Sequence, residues 1–232
     1  MAKKKLVYSG SASSTKERED ILEISDKIRG LVKKAQYRKA FNLAEATLKA
    51  HPKNRFAQYH YAVMLGDSEE WATKAQHIKN SKRAAKLLQS LLKRSRGIDP
   101  RWRMGWRNEY YWFTKQAYKQ WRLGVEGIRR GDKTSYYSMG VGAVSLSLNF
   151  YKNNSPKRAK SWALKAINAW ESYFKVIPDY YNSYVWYAKG LGLSGNLVKM
   201  NFALRKAANL SGRPISYREF VDARAAVLKA IS

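Results

Sequence analysis

The side chains that could catalyse a reaction or bind a metal are few in this sequence and form no recognisable set. Cysteine is absent, which excludes disulfides, thiolate zinc sites, iron–sulfur clusters and cysteine nucleophiles together. The three histidines, His51, His60 and His77, share no metal-ligand spacing with a carboxylate. Only 17 residues are acidic, so paired carboxylates for acid–base catalysis are scarce. We therefore expect a protein that is not an enzyme and that holds no cofactor and no metal.

A glycine-rich stretch at 190–195, GLGLSG, matches the dinucleotide-binding fingerprint by letter. That fingerprint needs a strand before it and a helix that opens within it, so that phosphate meets the helix N-terminal amides. Here a helical pattern, Tyr187-Ala188-x-x-Leu191, runs directly into the glycines, and no βαβ unit surrounds them. We interpret the stretch as close helix packing followed by a turn at Gly195-Asn196.

Positive charge is the dominant property of the chain. Lys and Arg number 45 against 17 Asp and Glu, which gives a formal net charge of +28. Residues 1–100 contribute +12 and residues 101–232 contribute +16, so the excess belongs to the folded body and not to one tail. Such a field attracts polyanions and acidic surfaces. Nucleic acid, an acidic protein segment and anionic lipid all fit it as partners.

The segment 79–130 concentrates this charge, with 15 basic and 3 acidic residues. Basic residues recur at helical spacing opposite apolar faces, which predicts amphipathic helices with one basic side. The basic residues that we predict to form one partner-binding patch are Lys82, Lys86, Arg103, Arg107, Lys115, Lys119 and Arg122. Beside them runs an apolar stripe of Trp102, Trp106, Tyr110, Phe113, Ala117, Trp121 and Ile128.

Two interpretations of the aromatic stripe are open. Aromatic and basic residues interleaved in a groove are what base stacking and phosphate contact require. An aromatic stripe at helical spacing is also typical of a core that large rings fill. We favour the core, and we expect Trp106 and Trp121 to be largely buried.

The apolar periodicity from residue 14 onward is helical and predicts an all-α fold. The predicted helices lie near 15–34, 37–50, 54–66, 69–96, 101–130, 134–151, 156–176, 180–194, 196–210 and 216–231. Capping boxes at 14–17 and 216–219 open the first and the last of them. The uncharged stretch 134–151 is long enough to span a bilayer, but its serines and glycines favour a buried helix.

Two sequence patterns recur along these helices. The first is Tyr-Ala-x-x-Leu, at 61–65 and again at 187–191, and the second is an alanine followed twelve residues later by a proline. Small residues at such positions let two helices approach closely, and large residues fill the space beside them. The residues that carry these patterns are Tyr61, Ala62, Leu65, Ala40, Pro52, Ala166, Trp170, Pro178, Tyr187, Ala188 and Leu191.

These patterns resemble the tetratricopeptide repeat (TPR) family. The resemblance implies a curved array of antiparallel helix pairs, an α-solenoid, whose groove binds other proteins. The prolines do not follow the family's period and two predicted helices are long, so we expect irregular repeats. We predict a flexible basic arm over 1–13 and a single TPR-like domain over 14–232, which ends in a capping helix at 216–231.

We hypothesise a non-enzymatic scaffold whose basic surface engages an extended acidic segment of another protein. The alternative is an RNA- or DNA-binding component of a ribonucleoprotein or nucleoid complex. No secretory signal and no convincing membrane span is visible, so we expect a cytoplasmic protein without integral membrane association.

The repeat alignment predicts that Ala62, Ala166 and Ala188 lie at helix–helix contacts. The substitution Ala188→Leu should therefore overpack its contact and lower the free energy of unfolding by about 1–3 kcal/mol. Chemical denaturation of both proteins measures this difference. A variant that unfolds at the wild-type denaturant concentration would show that the repeats are placed wrongly.

Overall fold

The computed structural model describes residues 12–34, 36–68 and 71–232, and every regular element in this part of the chain is helical. The helices in these ranges are α1 Ala12–Glu19, α2 Leu22–Lys33, α3 Tyr37–Ala50, α4 Arg55–Gly66, α5 Lys74–Lys93, α6 Pro100–Phe113, α7 Ala117–Arg129, α8 Tyr136–Lys152, α9 Pro156–Phe174, α10 Tyr181–Leu193, α11 Leu197–Ser211 and α12 Arg218–Ile231. The all-α prediction is confirmed.

The helices group into two compact units. Unit 1 ends at Lys115 and holds α1 to α6, and unit 2 is Gln116–Ser232 and holds α7 to α12. The predicted arm at 1–13 lies outside the described residues, except that residues 12 and 13 begin α1. The predicted single repeat domain over 14–232 stays a prediction, and α12 occupies most of the stretch predicted as a capping helix.

Polar contacts at the start of α4 tie three helices of unit 1 together. Asn54 caps α4, because its Oδ1 accepts hydrogen bonds from the backbone N–H groups of Phe56 and Ala57 at 3.0 and 3.1 Å. Its Nδ2 donates to the backbone O of Glu17 in α1 at 2.6 Å. Arg55 binds the Glu17 carboxylate through Nε at 2.8 Å and donates through Nη1 to the backbone O of Arg94 after α5 at 3.1 Å.

The centre of unit 1 is aromatic. Phe56 packs edge-on against Trp102 and Trp106 of α6, with ring centroids 5.3 and 5.7 Å apart. Trp106 is fully buried, which confirms its predicted role in the core. Phe113 at the end of α6 lies over Gly66 of α4, where an added Cβ would come within 2.1 Å of the Phe113 ring. The glycine therefore leaves room for the Phe113 ring against α4.

Helix α8 is the centre of unit 2 and packs against both α7 and α9. An added Cβ at Gly142 would lie 2.6 Å from the backbone N of Trp121, so α7 and α8 touch through their backbones. An added Cβ at Gly140 would lie 2.3 Å from the ring of the buried Trp170 of α9. Most of the uncharged stretch 134–151 is thus helical, as predicted, and it is buried at Gly140, Val141, Gly142, Ala143, Val144 and Ser147. No helix among the described residues is long and apolar enough to cross a membrane.

The glycine-rich stretch 190–195 is the end of α10 followed by a turn, as we predicted. The helix continues to Leu193, and Gly195 has a φ of +100°, in the left-handed region that favours glycine. An added Cβ at Gly192 would meet the Met200 sulfur at 2.5 Å. The glycine therefore permits close packing of α10 on α11.

The residues predicted to pack the repeats are mostly buried. Ala40, Ala62, Ala166 and Ala188 are fully enclosed, which confirms the predicted burial of the last three. Tyr61, Leu65, Trp170 and Leu191 are buried, Tyr187 is partly buried, and Pro52 and Pro178 are exposed beyond the helix ends. Their assignment to TPR-like repeats stays a prediction.

The prediction of one helix over 101–130 is wrong. Helix α6 ends at Phe113 and α7 begins at Ala117, and between them Lys115 adopts a φ of +56°. The Thr114 hydroxyl donates to the backbone O of Tyr110 at 2.6 Å, which satisfies a carbonyl of the last turn. The stripe that we predicted as continuous is therefore divided between two helices. The helix predicted over 69–96 is also shorter, because α5 spans Lys74–Lys93.

Two of the predicted caps are wrong. The box at 14–17 lies inside α1, which begins at residue 12. At the last helix the N-cap is Tyr217, whose side chain makes no capping hydrogen bond. Glu219 instead pairs with Arg213 at 3.3 Å.

We predict opposite effects for two glycine substitutions in unit 2. Gly142→Ala places a Cβ against the backbone of α7 and should lower the free energy of unfolding by about 1–3 kcal/mol. In the control Gly190→Ala the new Cβ meets Ala166 at an ordinary 3.5 Å. That variant should be neutral or gain up to about 1 kcal/mol from helix propensity. Urea unfolding measures both, and equal effects would contradict the packing described here.

Candidate polyanion-binding surfaces

Helix α5 carries a continuous basic face in unit 1. Lys79, Lys82, Lys86 and Lys93 are exposed, while the opposite side of the helix is buried through Ala84, Leu88 and Leu91. The segment 71–98 contains eight basic residues and no acidic one. We call these four residues the lysine face. It contains two residues of the predicted patch, Lys82 and Lys86, one helical turn apart.

Three more predicted patch residues lie on α6 or just after it. Arg103 is exposed and Arg107 is partly exposed, again one turn apart. Lys115 follows the end of α6, and its Nζ lies 4.8 Å from the ring centroid of Trp112. A cation at this distance from a tryptophan face is attracted to it. Lys115 is therefore partly engaged by its own chain.

The last two predicted patch residues, Lys119 and Arg122, lie on α7 in unit 2. Both are exposed. The patch predicted from the sequence is thus distributed over α5, α6 and α7, which belong to two units, and its function in binding stays a prediction.

Aromatic rings accompany the charge on α7. Tyr118 is 52% exposed, and its ring stacks on that of Trp121 with centroids 5.9 Å apart and planes 26° apart. Trp121, which we expected to be largely buried, remains partly exposed and packs edge-on against Trp162 of α9 at 5.1 Å. Lys165 lies over Trp162, with its Nζ 4.2 Å from the ring centroid. We call Tyr118, Lys119, Trp121, Arg122, Trp162 and Lys165 the α7/α9 strip.

Sequence reasoning missed the contribution of α9 to this strip. The signal was the spacing Arg158-x-x-x-Trp162-x-x-Lys165, which places two cations beside a tryptophan on one side of a helix. Nothing in the sequence indicates that this side of α9 meets Trp121.

None of the seven predicted patch residues pairs with a carboxylate in the part of the chain that the structure describes. The ion pairs in this part of the chain are formed by other residues, as at Glu126–Arg130 on α7 and Glu45–Lys49 on α3. The charge of the patch is thus available to an external anion.

Three titratable groups in unit 1 have strongly shifted pKa values. Burial raises the pKa of the Glu109 carboxyl to about 7, although a hydrogen bond with the Asn108 side chain opposes the shift. Burial, with a smaller contribution from the charge of Arg29, lowers the pKa of His60 to about 4. Burial also raises the pKa of Tyr59, and the charge of Glu109 adds to that rise. None of these three shifts could be predicted from the sequence, because each depends on burial by tertiary packing.

Ser68 and His77 lie within contact distance in unit 1, in a polar cluster with Asn80 and Ser81. Ser68 Oγ lies 3.3 Å from His77 Nδ1 and accepts a hydrogen bond from Asn80 Nδ2 at 3.1 Å. On the other side of the ring, Ser81 Oγ lies 3.5 Å from His77 Nε2. Ser68 is completely buried, so its hydroxyl is closed to a substrate in this conformation. Among the described residues no three His, Asp or Glu side chains gather as metal ligands.

Comparison with known proteins gives no further assignment. No protein-family model matches the chain, and no curated protein matches its sequence.

The raised pKa of Glu109 predicts a pH-dependent effect of Glu109→Gln. Between about pH 4.5 and 7 the unfolded chain ionises this carboxyl while the folded protein keeps it protonated, so the contribution of Glu109 to wild-type stability falls as the pH rises. The neutral amide removes this dependence. We expect the variant to melt higher than wild type at pH 8, with a gap that shrinks toward pH 4.5. Melting curves at both pH values test this, and a gap independent of pH would contradict it.

Proposed function

We propose that this chain is a non-enzymatic, TPR-like binding scaffold whose lysine face engages an extended acidic segment of another protein. The observation that carries the proposal is the set of exposed lysines on α5, which face solvent without a carboxylate partner among the described residues. Like charges one turn apart destabilise a helix by a few tenths of a kcal/mol per pair. A bound row of carboxylates would remove this repulsion.

The helix packing supports a scaffold of repeated helix pairs. In unit 1 each helix from α2 to α6 packs against the next one in the chain, and in unit 2 the same holds from α7 to α11. Arrays built this way present one side of each helix as an extended binding surface. The close alanine contacts at Ala62 and Ala188, which lie in matching Tyr-Ala-x-x-Leu patterns, favour the TPR-like form of such an array.

The chemistry of α5 favours an acidic peptide over nucleic acid. The helix contains no Phe, Tyr or Trp, so the lysine face offers nothing on which a base could stack. Lys82 and Lys86 are separated by about 6 Å along the helix axis. Every second residue of an extended chain advances about 6.6–6.8 Å, which brings two alternate carboxylates opposite Lys82 and Lys86.

A charge reversal tests the proposal. The variant Lys82→Glu/Lys86→Glu should bind a labelled Asp/Glu-rich peptide at least about tenfold more weakly than wild type, because attraction becomes repulsion. The control is Arg205→Glu/Lys206→Glu on α11, which makes the same change of net charge at two other exposed residues. Fluorescence anisotropy at several salt concentrations measures both, and binding to wild type should weaken as salt rises.

Two results would decide against this function. Equal losses in both double variants would show that only net charge matters, and unchanged binding in Lys82→Glu/Lys86→Glu would show that the lysine face is merely solvated. The parallel variant Arg103→Glu/Arg107→Glu shows whether α6 belongs to the same binding surface. A labelled oligonucleotide that binds to the lysine face more tightly than the peptide would favour the nucleic-acid alternative.

A further inference from the structure

The α7/α9 strip of unit 2 differs in chemistry from the lysine face because it joins cations with partly exposed rings. Trp121 lies between Tyr118 on its own helix and Trp162 on α9, with ring centroids 5.9 and 5.1 Å away. Tyr118 is stacked on Trp121 and still has 52% of its surface exposed. The strip therefore presents a supported, solvent-accessible aromatic ring.

The charged residues on the helices that carry these rings are mostly basic. Residues 133–170, which include all of α8 and most of α9, contain six basic residues and no acidic one. Helix α7 has a single acidic residue, Glu126, and its carboxylate pairs with Arg130 at 2.5 Å. Lys119 and Arg122 are exposed and pair with no carboxylate in the described part of the chain. The single acidic residue of α9, Glu171, accepts a hydrogen bond from the Tyr187 hydroxyl at 3.1 Å, so both carboxylates on α7 and α9 already have a partner.

Contacts with α8 and Lys165 hold the two tryptophans of the strip in place. The backbone of α7 touches α8 at Gly142, where an added Cβ would lie 2.6 Å from the backbone N of Trp121. Lys165 lies over both tryptophans, 4.2 Å from the ring centroid of Trp162 and 5.8 Å from that of Trp121. This support fixes the position of Trp121, on which Tyr118 stacks, before any ligand arrives. Preorganised rings lose little conformational entropy on binding.

We propose that the α7/α9 strip is a binding site for single-stranded nucleic acid. A base stacks on the exposed ring of Tyr118, and Lys119, Arg122 and Lys165 contact neighbouring phosphates. Stacking on an aromatic ring with cations along the backbone path is the mode by which proteins bind single strands without strong sequence preference. A single strand is required because the bases of a duplex are already stacked on one another.

An acidic peptide fits this strip less well. Carboxylates would use the three cations but leave the half-exposed Tyr118 ring without a matching group. A base supplies a flat π-surface of the size that the tyrosine presents. This inference goes beyond the proposed function, since it concerns a different unit and a different class of ligand, and either can fail without the other.

The test is fluorescence anisotropy with a short labelled oligouridine, compared with a duplex of equal length and with an Asp/Glu-rich peptide. Tyr118→Ala should weaken oligouridine binding by about tenfold, because the variant has no ring on which a base can stack. Tyr118→Phe keeps the ring and should bind as wild type does. The matched control is Phe202→Ala on α11, since Phe202 is a more exposed ring, at 64%, with basic neighbours at Lys199 and Lys206.

Several outcomes would overturn the inference. Wild-type affinity in Tyr118→Ala, or an equal loss in Phe202→Ala, would show that the strip is not a specific stacking site. Equal affinity for duplex and single strand would show that the strip recognises only the charge of the phosphates. Because Tyr118 is half-exposed, its variants should fold, which their melting temperatures check. Lys82→Glu/Lys86→Glu should weaken oligouridine binding no more than Arg205→Glu/Lys206→Glu, which makes the same change of net charge, and this comparison separates the test from that of the lysine face.

Discussion

Both units depend on helices that approach one another at positions where a larger side chain would not fit. In unit 2 the contact is formed through backbone atoms at Gly142 and through the Trp170 ring at Gly140. In unit 1 the ring of Phe113 occupies the place that a Cβ of Gly66 would take. Such contacts leave no free volume. A substitution that adds even one methyl group there therefore destabilises the fold. These contacts determine which face of each helix remains exposed to solvent. The exposed faces carry the basic residues.

The fold class and the close contacts could be predicted from the sequence because they depend on local patterns. Helical periodicity predicted the all-α fold, and small residues in matching patterns predicted the burial of Ala62, Ala166 and Ala188. The break between α6 and α7 could not be predicted, because its left-handed residue is Lys115 and not glycine. The α7/α9 strip was missed since Trp121 and Trp162 meet only through tertiary packing.

Residues that we predicted as one basic patch lie on two candidate surfaces, and these surfaces differ in the side chains that accompany the cations. The lysine face has cations without rings, and the α7/α9 strip has both. Many other aromatic faces are already covered by the chain's own cations, as where Arg38 lies 4.7 Å from the Trp71 ring centroid. Aromatic content alone therefore overstates the number of rings that are accessible to a ligand. The aromatic stripe that we predicted from spacing contributed mainly to the core, through Trp106.

The shifted pKa values of Glu109 and His60 act on unit 1 in opposite directions. As the pH falls from about 6.5 to 4, the unfolded chain protonates His60 before the folded protein does, which lowers stability. As the pH rises from about 4.5 to 7, the unfolded chain ionises Glu109 first, which also lowers stability. Between about pH 4.5 and 6.5 the two proton differences cancel, because one group contributes an extra proton to the unfolded state and the other to the folded state. The combined contribution of these two residues to the stability of unit 1 therefore stays constant when the pH falls from about 6.5 to 4.5.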